Sequence, residues 1–122
     1  MKKHGRILIV DDEPNILLSL DFLMRRGGYE VFIARNGTEA MELLDKNTPD
    51  LVVLDIMMPD VDGYYICRYI KSSERHQSCK VVFLSAKSKE SDIKTGMEMG
   101  ADAYLTKPFS TRQLMQKVEE LL

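Results

Sequence analysis

The chain has 122 residues, of which 44% are hydrophobic and 30% are charged, and its formal net charge is −2. This length suffices for one domain with its own core, and the balanced charge disfavours direct binding of this segment to nucleic acid. No apolar stretch is long enough for a signal peptide or a membrane span. With no export signal, Cys67 and Cys79 are expected to be reduced thiols in a cytoplasmic protein.

The first fifty residues predict two strand–helix pairs. The first strand, Arg6 to Val10, precedes a helix that begins near Pro14 and ends at the glycine pair Gly27–Gly28. The second strand, Tyr29 to Ala34, contains a charged residue that suggests an edge position, and a capping box starting at Asn36 opens its helix. The residues expected on the buried faces of these two helices are Ile16, Leu20, Leu23, Ala40, Leu43 and Leu44.

The remaining residues predict three more pairs. Leu51 to Leu54 is a wholly apolar run, typical of a strand buried on both faces of a parallel sheet, and a helix over 63–72 follows it. Val81 to Leu84 is a second such strand, followed by a helix that ends at Gly100. Ala103 to Leu105 is a short last strand, and its helix is capped at Ser110. The expected buried residues are Ile66, Ile70, Ile93, Met97, Leu114, Val118 and Leu121.

Five strand–helix pairs without a hairpin signal predict an α/β fold. With right-handed crossovers they form a three-layer, doubly wound, flavodoxin-like (βα)5 domain with a five-stranded parallel sheet. The strand order 2-1-3-4-5 places the three wholly apolar strands in the centre of that sheet. We expect residues 1–122 to form this single domain.

Polar side chains follow the central strands at the points where the strands end. Asp11 and Asp12 follow the first, Asp55 follows the third, Ser85 follows the fourth, and Lys107 lies just beyond the fifth. Because parallel strands point the same way, these residues are expected to meet at one edge of the sheet, where such folds bind ligands. A helix-capping role would explain any one of them, but it does not readily explain the whole set.

The expected cluster has the composition of a phosphoryl-transfer site. Three carboxylates repel one another unless a cation lies among them, and oxygen ligands with room for water suit Mg²⁺. Lys107 and Ser85 would offer a positive charge and a hydrogen-bond donor to an incoming anion with several oxygens. The carboxylate of Asp55 could then attack phosphorus in line, which would give an aspartyl phosphate.

These residues resemble, from end to end of the chain, the receiver domain of two-component response regulators. The matching motifs are Asp11-Asp12, Asp55 within DIMMPDVDG, Ser85-Ala86, Tyr104 and Lys107-Pro108-Phe109. The resemblance implies that Asp55 accepts a phosphoryl group from the phosphohistidine of a histidine kinase or from a phosphotransfer protein. It also implies that Asp11, Asp12, Asp55 and the backbone carbonyl of Met57 hold Mg²⁺, with Mn²⁺ as a substitute.

The resemblance also assigns roles to the other residues of the site. Ser85 and Lys107 would bind the phosphoryl oxygens, and the Lys107–Pro108 bond would be cis. Ser85 and Tyr104 would form a switch in which the hydroxyl moves towards the phosphate and the aromatic ring turns inward. Such a protein is a phosphoacceptor switch that takes part in its own phosphorylation and dephosphorylation, and not an enzyme in the ordinary sense. Met57 and Lys87 would tune the rate at which the phosphoryl group is lost.

We expect the state of Asp55 to be read on the face made by the fourth helix, the fifth strand and the fifth helix. This face would control an output domain or a target protein, and a phosphorylation-dependent homodimer is one form that the output could take. In the winged-helix class of response regulators, active receivers dimerise there through salt bridges. Lys94, Asp102 and Arg112 fit that pattern, but Ala103 stands where the class usually has a second acid.

Three other functions compete for the same residues. A phosphatase of the haloacid dehalogenase type would need a second acid two residues after Asp55, where Met57 stands. A flavin carrier would need a first loop that accepts phosphate, and the acids after the first strand would repel it. A receiver-like interaction module that is not phosphorylated is the third alternative. His4 and His76 lie in terminal or loop segments and are expected to be solvated.

Overall fold

The computed structural model describes residues 5–122, so His4 lies outside the described residues. Five strands alternate with five α-helices: β1 Arg6–Val10, α1 Pro14–Arg26, β2 Glu30–Ala34, α2 Gly37–Lys46, β3 Leu51–Leu54, α3 Gly63–Ser72, β4 Lys80–Ser85, α4 Glu90–Glu98, β5 Ala103–Thr106 and α5 Thr111–Leu121. A 3₁₀ helix, Glu74–His76, connects α3 to β4. No helix within residues 5–122 is both long and apolar enough to cross a membrane.

The five strands form one parallel sheet in the order β2-β1-β3-β4-β5, which confirms the predicted flavodoxin-like topology. β1, β3 and β4 lie in the centre of the sheet. Their apolar runs, residues 7–10, 51–54 and 81–84, are completely buried because helices cover both faces of the sheet. Alternate residues of each strand enter two separate core clusters, one on each face of the sheet. β2 is an edge strand, as its charged residue Glu30 predicted.

Only α3 buries all of the residues expected of it. Leu43 in α2, Ile93 in α4 and Leu121 in α5 are half-buried, and α1 and α4 differ further from the expectation. In α1 the buried residues are Leu17, Leu20 and Met24, whereas Ile16 and Leu23 are only half-buried, because the face that contacts the sheet is rotated by about one residue. In α4 the buried residue is Gly96, and Met97 is exposed. A Cβ atom at Gly96 would lie 2.8 Å from the ring of Tyr104, so α4 approaches β5 through its backbone at this glycine.

The prediction that His76 is solvated was wrong. Its side chain is 2% exposed, because the 3₁₀ helix folds back on the end of α2. Nε2 lies 2.9 Å from the carbonyl oxygen of Leu44, which can only accept, so Nε2 carries the proton. The two cysteines are free and buried. Burial raises the pKa of Cys67 to about 11 and that of Cys79 to about 12, so both thiols are uncharged at neutral pH.

Candidate functional site

Three carboxylates meet at the carboxyl end of the central strands. Asp11 and Asp12 follow β1, and Asp55 follows β3, its neighbour in the sheet. One oxygen from each carboxylate can be chosen so that the three lie within 4.8 Å of one another. Asp11 is 1% exposed and Asp55 is 5% exposed, whereas Asp12 faces solvent. The parallel sheet therefore assembles the acids that the sequence placed 44 residues apart.

Lys107 brings one positive charge to these acids. Its backbone N–H donates to the carbonyl of Ser85 at 2.8 Å, which continues the pairing of β4 with β5 beyond the last strand residue. Its ammonium nitrogen lies 2.8 Å from Asp11 Oδ2 and 3.0 Å from Glu13 Oε1, but 3.7 Å from Asp55 Oδ2. One ammonium group thus interacts with the carboxylates of Asp11, Glu13 and Asp55, and the site keeps an excess of negative charge.

The pKa values of the site reflect burial first and the neighbouring charges second. Burial raises the pKa of Asp55 to about 6, and the nearby charge of Asp11 adds to the effect while Lys107 opposes it. Burial also raises the pKa of Asp11, although its bonds to Lys107 and to the Glu13 N–H act against the shift. Burial alone would lower the pKa of Lys107, but its bonds to Asp11 and Glu13 prevail and raise it. A second cation would relieve the remaining repulsion.

The donor set fits a hard divalent cation. The three side chains that could hold a metal, those of Asp11, Asp12 and Asp55, all offer carboxylate oxygens, and oxygen is the ligand that Mg²⁺ prefers. Asp12 also lines an open cleft of about 460 Å³. Met57, which is 61% exposed, lies on the same cleft, as do Ile56, Met58, Pro59, Asp62, Tyr64 and Lys87. The cleft leaves room for a cation and its water beside the carboxylate of Asp12. The role of the Met57 carbonyl stays a prediction.

Ser85 and Tyr104 meet at the backbone of Lys87. Ser85, at the end of β4, is fully buried, and its Oγ accepts a hydrogen bond from the Lys87 N–H at 3.2 Å. The hydroxyl of Tyr104 donates to the Lys87 carbonyl at 2.7 Å, and its ring packs inward against Phe83 and Gly96. Burial raises the pKa of Tyr104 to about 12, so the hydroxyl remains a donor at neutral pH. The two residues of the predicted switch therefore both bond to the backbone of the same residue, Lys87.

Close backbone packing fixes the loop that follows Asp55. The Gly63 N–H donates to the Ile56 carbonyl at 2.8 Å. A Cβ atom at Gly63 would overlap the carbonyl oxygen of Asp55 and lie 2.8 Å from the Ile56 Cα, so only glycine fits there. The Lys107–Pro108 bond is cis, as the resemblance implied.

Sequence reasoning missed the side-chain contacts of two acids near the site. Glu13 occupies the capping position of α1 but makes no side-chain capping bond, and it contacts Lys107 instead. Its position beside the acid pair was a usable signal. Asp60, in the loop after β3, accepts hydrogen bonds from the first turn of α2. Nothing local in the sequence indicated this contact, because Asp60 and Thr38 are 22 residues apart.

Asp102, one of the residues predicted for the dimer contact, is already bonded within the domain through one carboxylate oxygen. Its Oδ2 accepts from Lys71 Nζ at 2.8 Å and from the Val81 N–H at 2.8 Å. These bonds tie the turn before β5 to α3 and β4. The other two residues predicted for the dimer contact, Lys94 and Arg112, are exposed.

Comparison with known proteins identifies the family. Residues 7–119 match the family model described as the response regulator receiver domain. The chain is 39% identical over 119 residues to the alkaline phosphatase synthesis transcriptional regulatory protein PhoP of Bacillus subtilis (strain 168). The match covers 98% of this chain and 49% of that protein, so the chain spans about half the length of this curated relative.

Solved structures agree with this match. The BeF3-activated receiver domain of DrrB superimposes with a TM-score of 0.90 at 34% identity, covering 98% of this chain and 97% of that one. A CheY-like response regulator receiver domain protein from Methanospirillum hungatei JF-1 superimposes with a TM-score of 0.87 at 30% identity, covering 97% and 93% of the two chains. The similarity therefore extends over nearly the whole chain in both sequence and fold.

Proposed function

The chain belongs to the family of response regulator receiver domains, and on that premise we propose that it accepts a phosphoryl group on Asp55. The donor is the phosphohistidine of a histidine kinase or of a phosphotransfer protein. The observation that carries the proposal is the placement of Asp55, nearly buried at the end of a central strand, beside Asp11, Asp12 and Lys107. Residues 1–122 form the receiver domain in this proposal.

The geometry supports an in-line transfer. With a pKa of about 6, Asp55 is mostly ionised at neutral pH and can act as the nucleophile. Its oxygen forms the new bond to phosphorus, the P–N bond of the donor breaks, and the electron pair of that bond returns to the imidazole nitrogen. Lys107 and the Ser85 hydroxyl then hold phosphoryl oxygens. A Mg²⁺ ion held by Asp11, Asp12, Asp55 and the Met57 carbonyl, or Mn²⁺ in its place, would neutralise charge on the carboxylates and on the transferring group.

The phosphorylated state is read, in our proposal, on the face made by α4, β5 and α5. Ser85 and Tyr104 both bond to Lys87, at the start of the segment that leads into α4. A phosphoryl group that draws the Ser85 hydroxyl towards itself therefore acts on the same segment that holds Tyr104. If α4 and β5 have two packings, phosphorylation shifts the balance between them.

The output is an attached domain or a separate target protein. The relative PhoP is a transcriptional regulatory protein of which this chain matches about half, which supports control of a further domain. The two free thiols fit the reducing cytoplasm, where we place the protein. The chain is then a switch that takes part in its own phosphorylation and dephosphorylation.

Intact mass after incubation with a small phosphodonor and Mg²⁺ tests the acceptor. The wild-type protein is expected to gain one phosphoryl group, and the Asp55→Asn variant is expected to gain none. Asp45→Asn, an equal change of charge on the exposed surface of α2, is the control and should behave as the wild type. Unchanged labelling of Asp55→Asn would overturn the assignment, and no labelling of the wild type would favour the module that is not phosphorylated.

A further inference from the structure

The loop that carries the proposed acceptor is bonded to the start of α2. In this loop, residues 55–62, the carboxylate of Asp60 points at the first turn of α2. Oδ1 accepts from the Gly37 N–H at 3.1 Å, and Oδ2 accepts from the Thr38 N–H at 2.7 Å and from the Thr38 hydroxyl. The next amide, that of Glu39, bonds to the side chain of Asn36 at 2.8 Å. The first three amides of α2 are thus satisfied, and two of them by a residue of a different element.

Charge and helix geometry favour this contact. A carboxylate at a helix N-terminus interacts favourably with the helix dipole and with the unpaired N–H groups. The bond from the Thr38 hydroxyl, followed by the backbone bonds, holds the pKa of Asp60 well below its usual range. Asp60 therefore stays ionised, and the contact persists throughout the physiological pH range.

Backbone packing reinforces the contact between α2 and the loop. Gly37 is buried beneath Val61, and a Cβ atom at Gly37 would overlap the Val61 carbonyl oxygen and lie 2.6 Å from the Val61 Cβ. The absence of a side chain at Gly37 lets α2 begin directly against the loop. The distance between them is set by this contact as well as by the hydrogen bonds.

Few other polar contacts hold the tip of the loop. Its base is fixed by the bond from the Gly63 N–H to the Ile56 carbonyl. Between Ile56 and Gly63, the backbone of residues 57–61 makes no hydrogen bond to another backbone group within residues 5–122. The side chain of Asp60 is therefore the principal polar tie between the loop tip and a neighbouring element. Met57, the expected carbonyl ligand, lies between the fixed base and this tie.

We propose that Asp60 is a positioning residue for the metal and phosphoryl chemistry at Asp55, an inference that rests on the proposed function. By binding the loop to α2, Asp60 limits the positions that the Met57 carbonyl and the cleft wall can take. Groups that orient metal ligands without touching the metal typically contribute about 10–100-fold to metal affinity. The start of α2 is then part of the supporting frame of the site, although it contributes no ligand.

The test compares Asp60→Ala with the wild type and with Asp45→Asn, which removes an equal charge from the exposed end of α2. Amide exchange at Gly37 and Thr38 reports loss of the tie, and calorimetric titration with Mg²⁺ reports its effect on the site. We expect Asp60→Ala to speed exchange at both amides and to weaken Mg²⁺ binding about tenfold. Asp45→Asn should change neither the exchange at these amides nor the affinity for Mg²⁺. Thr38→Val, which removes only the hydroxyl donor from the α2 side, should give a smaller effect in the same direction.

Phosphoryl uptake separates positioning from a general loss of structure. If Asp60 positions the metal ligands, saturating Mg²⁺ should restore most of the uptake rate of Asp60→Ala. The inference is overturned if the two amides exchange faster while Mg²⁺ affinity equals that of the wild type, or if exchange at the two amides does not change. A wild-type protein that neither binds Mg²⁺ nor takes up phosphoryl groups would refute the proposed function itself. A wild type that does both, with an Asp60→Ala variant that takes up phosphoryl groups equally fast at subsaturating Mg²⁺, would refute only the positioning role.

Discussion

The carboxylate of Asp55 lies 3.7 Å from the ammonium nitrogen of Lys107, yet its pKa is raised to about 6. Burial is the main cause, and the charge of Asp11 is the second. Lys107 compensates only in part, because it lies closer to Asp11 and Glu13 than to Asp55. Ionised Asp55 therefore opposes folding unless a cation offsets its burial and its repulsion by Asp11.

This imbalance predicts that Asp55→Asn stabilises the metal-free protein at neutral pH. The folded-state pKa of about 6 exceeds the ordinary value of 3.8, so ionised Asp55 opposes folding fully above pH 6. The penalty falls as the pH drops from about 6 and vanishes below about 4, where the carboxyl is protonated in both states. Urea unfolding with a chelator should show Asp55→Asn more stable than the wild type by about 1–3 kcal/mol at pH 7.

The difference between the two proteins should shrink steadily between pH 6 and pH 4. Adding Mg²⁺ at pH 7 should stabilise the wild type more than the variant, because a bound ligand favours the folded state. Asp45→Asn serves as the control. A wild type that is more stable than Asp55→Asn at pH 7 without metal would contradict the argument from burial.

Asp12 should contribute more than Asp11 to the affinity for Mg²⁺. Phosphoryl uptake is expected to require Mg²⁺ or Mn²⁺, and Asp12→Ala should weaken Mg²⁺ binding more than Asp11→Ala. Asp12 is exposed on the cleft, whereas the carboxylate of Asp11 already accepts from the Glu13 N–H at 2.9 Å and contacts Lys107. Calorimetric titration of the three proteins decides the order. Equal affinities for the wild type and Asp12→Ala would refute direct contact of Asp12 with the ion.

Activation should change amide exchange across the face made by α4, β5 and α5. With beryllofluoride as the phosphate mimic, we expect altered exchange within residues 85–122. Tyr104→Phe should reduce the response around Lys87, because it removes the hydroxyl that bonds to the Lys87 carbonyl. Tyr65→Phe, at an exposed position on α3, is the matched control. Unaltered exchange throughout residues 85–122, with changes on another surface, would place the output elsewhere.

A dimer on the same face should depend on Arg112 more than on Asp102. Light scattering with and without beryllofluoride measures the mass, and we expect activation to raise it and Arg112→Ala to reduce that rise. Asp102→Ala should instead lower the free energy of unfolding by about 1–3 kcal/mol, because it leaves the Val81 N–H without its side-chain acceptor and removes one of the two acceptors of Lys71 Nζ. An activated protein that keeps the mass of a monomer would refute the dimer.

The sequence by itself was sufficient to predict the topology and to predict that the site residues lie together at one edge of the sheet. Apolar runs such as Leu51–Leu54 fill a strand buried on both faces, and a polar residue directly after each run marks where the strand ends. Because all strands of a parallel sheet point the same way, Asp11, Asp55 and Lys107 had to meet at one edge. Local pattern and handedness supply this information without any knowledge of side-chain contacts.

Only the tertiary structure decided which side chains contact one another across separate elements. The burial of His76 under α2, the bond of Asp60 to Thr38 and the capture of Asp102 by Lys71 each join residues from separate elements. The close approach of α4 at Gly96 likewise depends on the ring of Tyr104, which comes from another element. Periodicity reports how a segment divides its residues between core and solvent, but a hydrogen bond depends on where two packed elements bring their atoms within about 3 Å of each other.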